Sequence, residues 1–165
     1  MDVLVAAGLP AREKVLASAQ TREGHWVLGT RRLLVLVGEE TRTIPWERVE
    51  EATWDQDESR LRVSEIADFG AHRPSYDLVL DEPALLLQLV RERVTASIVL
   101  QRHVPVRGKL GLNVIGRRSP AGGPVAWMHA YDTGLDPADP EVAAVADAAL
   151  RGAQAEVGED FPRPI

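Results

Sequence analysis

The side chains best suited to chemistry form a basic segment between residues 102 and 118. Its members are Arg102, His103, Arg107, Lys109, Arg117 and Arg118. Guanidinium and ammonium groups bind phosphates and carboxylates through charge-assisted hydrogen bonds. The segment therefore predicts binding of an anionic partner, which is an RNA backbone, an acidic protein or a lipid head group.

Charge along the chain supports a second interpretation of the basic segment. The 165 residues carry 19 basic and 25 acidic side chains, a net charge of -6 that opposes general binding to nucleic acid or anionic membranes. Residues 83–118 hold 7 basic and 1 acidic side chains, whereas residues 119–165 hold 2 and 8. The basic segment could instead neutralise its acidic flank, including Asp132, Asp136, Asp139 and Glu141.

Catalytic motifs are missing from the sequence. Without cysteine there is no disulfide, thiolate nucleophile or thiolate zinc site. Phosphate-binding loops, nucleophile elbows and zincin motifs are also absent. The 4 histidines lie in separate segments, at His25, His72, His103 and His129. We therefore predict a protein that is not an enzyme and uses no cofactor or metal, with a small hydrolase lacking a recognisable motif as an alternative.

Two further groups of residues have a functional and a structural interpretation. Asp55, Asp57 and Glu58 partly resemble a calcium loop, but the glycine and distal glutamate of such a loop are missing, which favours a solvated turn. The tryptophans could form a stacking platform, but each is flanked by aliphatic residues in an alternating segment, which favours core packing. They are Trp26, Trp46, Trp54 and Trp127.

The elements that must position these residues begin with strands. Seven short segments alternate apolar and polar residues, or are apolar throughout, between turn-forming residues. They cover residues 13–21, 25–31, 33–37, 43–46, 49–54, 61–63 and 76–80. Several short strands at this spacing predict an antiparallel sandwich or a small barrel.

A helix follows the strands and is predicted over Pro83–Gln101. Pro83 suits the first turn, and apolar residues recur at helical spacing along the segment. We expect Leu86, Leu89, Val90 and Val94 to pack on the strand residues Trp26, Leu34 and Leu61. The fold class is therefore α+β.

The order of these elements resembles the bacterial pleckstrin-homology-like (PH-like) domains. The resemblance covers residues 12–101 and includes the segment Ile44–Val49 followed by Trp54. It implies a bent, partly open barrel of seven antiparallel strands that is plugged at one end by the C-terminal helix. Many such domains bind phosphoinositides through a basic cluster between their first two strands. This chain departs from that pattern, because its loop offers Lys14, Arg22 and His25 among acidic residues.

The remaining residues predict an appended β-hairpin and helix over residues 104–158, packed on the barrel. The strands are Leu110–Arg117 and Val125–Tyr131, joined by a turn that places Arg117 and Arg118 at its tip. Asp139 and Pro140 begin a helix that Gly158 ends. Residues 1–11 predict a helical lead-in, and residues 159–165 predict a loose tail.

The sequence as a whole predicts a non-enzymatic binding or interaction module, with a protein as the expected partner. No segment has the basic start and long apolar stretch of a secretory signal, or the length of a membrane span, so a cytoplasmic location is expected. The alternative is a structural subunit of a larger assembly. The oligomeric state stays open.

Overall fold

The computed structural model describes residues 8–9, 12–67 and 72–158 and divides the chain into two compact units. The N-terminal unit comprises Met1–Ser97 with Ser119–Ala121, and the C-terminal unit comprises Ile98–Arg118 with Gly122–Ile165. The predicted lead-in over residues 1–11 lies outside the described residues except for Gly8 and Leu9. The predicted tail over residues 159–165 lies outside them entirely.

Seven antiparallel strands build the sheet of the N-terminal unit, as predicted. They are β1 (Ala17–Thr21), β2 (Trp26–Gly29), β3 (Leu33–Val37), β4 (Thr41–Pro45), β5 (Val49–Asp55), β6 (Arg60–Glu65) and β7 (Ser75–Asp81). A 3-10 turn over Trp46–Arg48 connects β4 to β5. The order across the sheet is β4-β3-β2-β1-β7-β6-β5, so two meanders of consecutive strands meet where β1 pairs with β7.

The seven-stranded sheet is open and does not close into a barrel within the described residues. Among the described residues, the end strands β4 and β5 pair only with β3 and β6. Pro45 ends β4, and proline has no N–H to donate to a further strand. The 3-10 turn then redirects the chain, and a bulge between Val49 and Glu51 follows at the start of β5.

Helix α1 (Ala84–Ser97) packs its apolar side on the sheet. Leu86, Leu89 and Val90 are buried in one core with Leu34 and Leu61, which confirms that part of the predicted packing. Two details differ from the prediction. Val94 is half-buried at the margin of this core, and Trp26 packs in a separate cluster with Leu28 and Val35.

The end of helix α1 differs from the predicted one at Gln101. The helix ends at Ser97, and Ile98 already begins the next strand. Residues Ile98 and Leu100 pair with Arg117 and Gly116. The apolar, partly β-branched run after Ser97 favours extended backbone once a partner strand is available, and this pairing overrides the helical spacing seen in the sequence.

The C-terminal unit contains three strands rather than the predicted two. Strand β8 (Ile98–Arg107) pairs with β9 (Leu110–Arg117), which pairs with β10 (Ala126–Tyr131), all antiparallel. Gly108 adopts a φ of 59° in the tight turn between β8 and β9, a conformation that favours glycine. The extension therefore begins at residue 98 instead of 104, because the supposed end of the helix is a strand.

Helix α2 (Pro140–Val157) covers one face of this three-stranded sheet. Its predicted start and end are confirmed: the Asp139 side chain accepts a hydrogen bond from the Glu141 N–H, Pro140 occupies the first turn, and Gly158 follows the last residue. Val142, Ala146 and Ala153 are buried against the strands. Within the described part of the chain, neither helix combines the length and apolar character that crossing a membrane requires.

Candidate functional site

The basic segment lies on β8, on β9 and in the turns beside them, and three of its members face acidic residues of the same unit. Arg107 makes the most extensive of these contacts. Its Nη2 donates to Asp139 Oδ2 and to Glu141 Oε2, both at 2.8 Å. Arg107 therefore binds the acidic first turn of helix α2.

Asp139 has two structural tasks at this helix start. It caps α2 through the Glu141 N–H at 3.0 Å and accepts a hydrogen bond from Arg107. The Arg107 hydrogen bond and the capped backbone N–H lower the pKa of Asp139. Both contacts favour the carboxylate form, which also interacts well with the N-terminal end of a helix dipole.

His103 and Asp132 form the second pair. His103 Nε2 lies 3.1 Å from Asp132 Oδ2, and the same oxygen accepts the Gly111 N–H at 2.8 Å. The Gly111 hydrogen bond, followed by that from His103, lowers the pKa of Asp132. A Cβ on Gly111 would lie 2.9 Å from His103 Nε2, so glycine lets the imidazole approach the strand. The pair holds β8 against the residue that follows β10.

The other members of the basic segment differ in their surroundings. Arg102 donates to Glu156 of helix α2. Arg117 is buried, with 6% of its surface exposed, and its predicted position at an exposed hairpin tip is wrong because it ends strand β9. Lys109 is exposed and Arg118 is half-buried, and neither makes an ion pair with another described residue.

A cavity of about 370 Å³ lies in the N-terminal unit, where the β1–β2 and β3–β4 turns approach strand β7. Its wall is largely apolar and includes Trp26, Leu36, Val37, Leu78 and Val79. Cavities that hold small ligands have this size and this mixture of apolar walls with a few polar groups.

The polar part of the cavity wall contains Arg42 and Tyr76, which both contact the buried carboxylate of Glu65. Arg42 donates from Nε at 3.0 Å and from Nη2 at 2.7 and 2.9 Å. The Tyr76 hydroxyl donates at 2.6 Å. Glu65 therefore fixes the guanidinium plane, while Nη1 of Arg42 has no hydrogen-bond partner among the described residues.

Each of these three groups has a shifted pKa. Burial raises the pKa of Glu65, but the hydrogen bonds from Arg42 and Tyr76 outweigh it and leave the pKa below its ordinary value. Burial, together with the hydrogen bond to Glu65, raises the pKa of Tyr76. The hydrogen bond to Glu65 raises the pKa of Arg42. At neutral pH the cluster thus holds an ionised pair and a neutral phenol.

The charged residues around the cavity largely compensate one another. Asp77 accepts a 2.8 Å hydrogen bond from Arg62, and His25 Nδ1 lies 3.8 Å from Glu23. Arg22 and Glu40 are exposed at the rim. The cavity is consequently unlike a phosphate-binding cluster, and the group best placed to meet a ligand anion is Arg42.

The sequence did not single out Arg42, Glu65 or Tyr76. One signal was present: Glu65 continues the alternation of Leu61 and Val63 on β6, so its carboxylate occupies an inward-facing position. A carboxylate at such a position requires a partner, because an isolated buried charge is costly. Nothing local indicates that the partner is Arg42.

The tryptophans and the acidic turn that the sequence analysis singled out both have structural roles. Trp46 is fully buried and donates from Nε1 to the Thr30 carbonyl at 2.9 Å, and the other tryptophans pack in apolar clusters. Asp55 Oδ1 accepts the Asp57 and Glu58 N–H groups in a turn. In the residues that the structure covers, no three His, Asp or Glu side chains are grouped as metal ligands.

Comparison of the chain with models of protein families, with curated proteins and with solved structures gives no match.

Proposed function

We propose that the N-terminal unit is a non-enzymatic binding module that takes a small, mainly apolar molecule with one carboxylate into the cavity beside Arg42. The observation that carries this proposal is the guanidinium of Arg42, fixed by Glu65 in a largely apolar wall. Glu65 occupies Nε and Nη2 of Arg42, so a ligand carboxylate would meet Nη1 with little further ordering of the side chain.

The strand order supports the PH-like assignment, which remains part of the proposal. Seven antiparallel strands precede one helix, in two meanders joined by β1 and β7. The proposed ligand differs from a phosphoinositide because the wall is largely apolar and the acidic residues Glu23, Glu40 and Asp77 also line it, which opposes binding of a multiply charged phosphate. We place the module in the cytoplasm and retain a protein or other anionic partner for the C-terminal unit as a prediction.

Binding of decanoate tests the proposal, with decanol as the uncharged reference. Calorimetry or protein NMR should show that decanoate binds more tightly than decanol and shifts the signals of Trp26 and Tyr76. The Arg42→Gln variant should lose this preference while still binding decanol. A charge-assisted hydrogen bond contributes about 1.5–3 kcal/mol, so the preference should be at least about tenfold.

A cavity-filling variant separates binding from stability. Val37→Trp places a large side chain in the wall and should abolish binding of both molecules. Val15→Trp is the matched control, because Val15 is half-buried in the same apolar cluster as Val37 but does not line the cavity. Equal binding by both variants, or binding of decanoate that Arg42→Gln leaves unchanged, would disprove the proposed site.

A further inference from the structure

Strand β10 forms an open edge of the three-stranded sheet in the C-terminal unit. Among the described residues it pairs with β9 alone. Directly after β10, the Asp132 N–H continues this pairing and donates to the Gly111 carbonyl at 3.0 Å. Hydrogen-bonded pairs alternate along antiparallel strands, so Met128 also bonds to β9. The N–H and C=O groups of Trp127 and His129 therefore point away from β9, toward the open edge.

The other edges of the two sheets carry features that discourage pairing with a further strand. Strand β8 contains Pro105 and has a register shift near each end. Strand β5 has a bulge at its start and carries Glu51 and Asp55, while β4 carries the inward-pointing Arg42 and ends at Pro45. Strand β10 has a continuous register and contains no proline, lysine, arginine, aspartate or glutamate. It is therefore the least protected edge of the described residues.

The side chains of β10 divide between the two faces of the sheet. Trp127 packs in the apolar cluster beneath helix α2, and His129 Nε2 lies 3.0 Å from the carbonyl oxygen of Ala146 in that helix. Met128 lies between them in the strand, so its side chain is on the opposite face. All three strand residues are half-buried, and each leaves part of its surface for contact with a further strand.

We infer that β10 pairs antiparallel with β10 of a second copy of the chain around a two-fold axis at Met128. The pairing joins the two three-stranded sheets into one continuous sheet. Trp127 of each copy exchanges backbone hydrogen bonds with His129 of the other, and Met128 lies directly opposite its own counterpart. The same residues meet on both sides of such an interface, as in most homodimers.

The composition of β10 favours a second copy over a different protein. Self-pairing at Met128 places Trp127 opposite His129 on one face and the two Met128 side chains together on the other. Aromatic and apolar cross-strand pairs are stabilising, and no like charges meet. An axis nearer the end of the strand would bring the Asp132 carboxylate against apolar residues of the other copy. A strand of a different protein would be selected by charges, which β10 does not offer.

Light scattering and hydrogen exchange on the full-length protein test this inference. The protein should be a dimer at high concentration and should dissociate on dilution. The amides of Trp127 and His129 should exchange at least about tenfold more slowly in the dimer, because they gain hydrogen bonds there. The amides of Met128 and Ala130 bond to β9 within one copy, so their exchange should change much less. None of these residues except Trp127 bears on the carboxylate cavity, and decanoate should leave the dimer intact.

A single introduced cysteine locates the axis, because the chain has no native cysteine. Directly opposed residues of a non-hydrogen-bonded pair have Cα atoms about 4.5 Å apart, within the range of a disulfide. In air with a copper–phenanthroline catalyst, Met128→Cys should form a covalent dimer at least about tenfold faster than Gln101→Cys. Gln101 is the matched control, because it pairs with Ile115 as Met128 does but lies exposed on the other edge strand, β8.

A pair of charged variants tests the same position without a cross-link. Met128→Lys and Met128→Glu should each weaken dimerisation about fivefold, because like charges then lie directly opposite each other. Mixing the two variants should restore the dimer, since each lysine then faces a glutamate. Restoration on mixing also shows that both variants are folded.

Three results would each overturn the inference. The first is a monomer at every protein concentration, and the second is equal cross-linking of Met128→Cys and Gln101→Cys. The third is a dimer in which the amides of Trp127 and His129 exchange as fast as in the monomer, because its interface would lie elsewhere. The exchange measurement uses the wild-type protein, so it decides the inference even if a variant at Met128 fails to fold.

Discussion

Arg42 on β4 and Glu65 on β6 are joined by a bidentate ion pair, although four strands separate β4 from β6 in the order of the sheet. The contact requires the sheet to bend until its two meanders face each other. Glu65 is 6% exposed, and Tyr76 supplies a third hydrogen bond to it. The ion pair thus connects β4 and β6, which are not neighbours in the sheet and do not pair through their backbones.

Removing the charge of Glu65 should destabilise the protein without large structural change. In Glu65→Gln the amide keeps the shape of the carboxylate but loses the charge-assisted bonds from Arg42. We expect a loss of about 1–3 kcal/mol in the free energy of unfolding, measured by urea denaturation. Glu58→Gln, at an exposed position, is the control. Equal stability of the two variants would contradict the role assigned to Glu65.

The same carboxylate predicts how stability depends on acid. The pKa of Glu65 in the folded protein lies below the ordinary value of 4.5. Its contribution is therefore complete above pH 4.5 and is lost as the pH falls through the lower folded value. Wild type should lose more stability than Glu65→Gln over this acid range. Parallel stability curves for the two proteins would show that Glu65 has the same pKa when folded and unfolded.

Gly29 and Leu89 form a packing pair between β2 and helix α1. A Cβ on Gly29 would lie 2.5 Å from Leu89 Cδ2, so Gly29→Ala should be destabilising in wild type. Leu89→Ala should cost about 2–5 kcal/mol by opening a cavity. In the double variant the added methyl occupies vacated space, and the effects of the two changes should sum to more than the measured loss. Additive losses would mean that the two side chains do not share this space.

Members of the basic segment should differ in their contribution to stability, according to whether they make an ion pair. Arg107→Glu places a third carboxylate beside Asp139 and Glu141, and it should lower the melting temperature, most strongly at low salt. The joint variant Lys109→Glu, Arg118→Glu should melt close to wild type, because neither side chain makes an ion pair with a described residue. Thermal melts at low and high salt compare the two variants.

The joint variant also tests the predicted anionic partner. If Lys109 and Arg118 contact such a partner, binding to single-stranded RNA, to an acidic protein or to anionic vesicles should fall in this variant and in high salt. Unchanged binding to all three would leave the basic segment with its internal role alone. That role is the neutralisation of Glu156, Asp132, Asp139 and Glu141 by three members of the segment.

The elements of the fold were largely predictable because their signals are local. Alternation, or a continuous apolar run over Leu33–Val37, identified the seven strands, and Asp139 with Pro140 identified the start of helix α2. The end of helix α1 was not predictable in this way, because Ile98 and Leu100 fit either a helix or a strand until β9 is present. Whether the sheet closes or stays open likewise depends on how the chain turns after Pro45.

The contacts of the candidate sites were less accessible to sequence reasoning. The acidic flank indicated that the basic segment could be neutralised internally, but the spacing could not assign Arg107 to Asp139 or His103 to Asp132. The alternation along β6 indicates that the Glu65 side chain faces inward, whereas the identity of its partner depends on how the two meanders face each other. Long-range contacts of this kind follow from topology and leave no local pattern.

The meeting of the two meanders at β1 and β7 has a kinetic consequence. Within each meander consecutive strands pair, so those contacts close short loops and can form early. The pairing of β1 with β7 joins the first strand to the last and comprises the two pairs Gln20 with Asp81 and Thr21 with Leu80. Among the strand pairings of the sheet, it closes the longest loop and has the fewest residue pairs. We expect this closure to limit the folding rate, so substitutions at Thr21 and Leu80 should slow refolding more than substitutions within either meander.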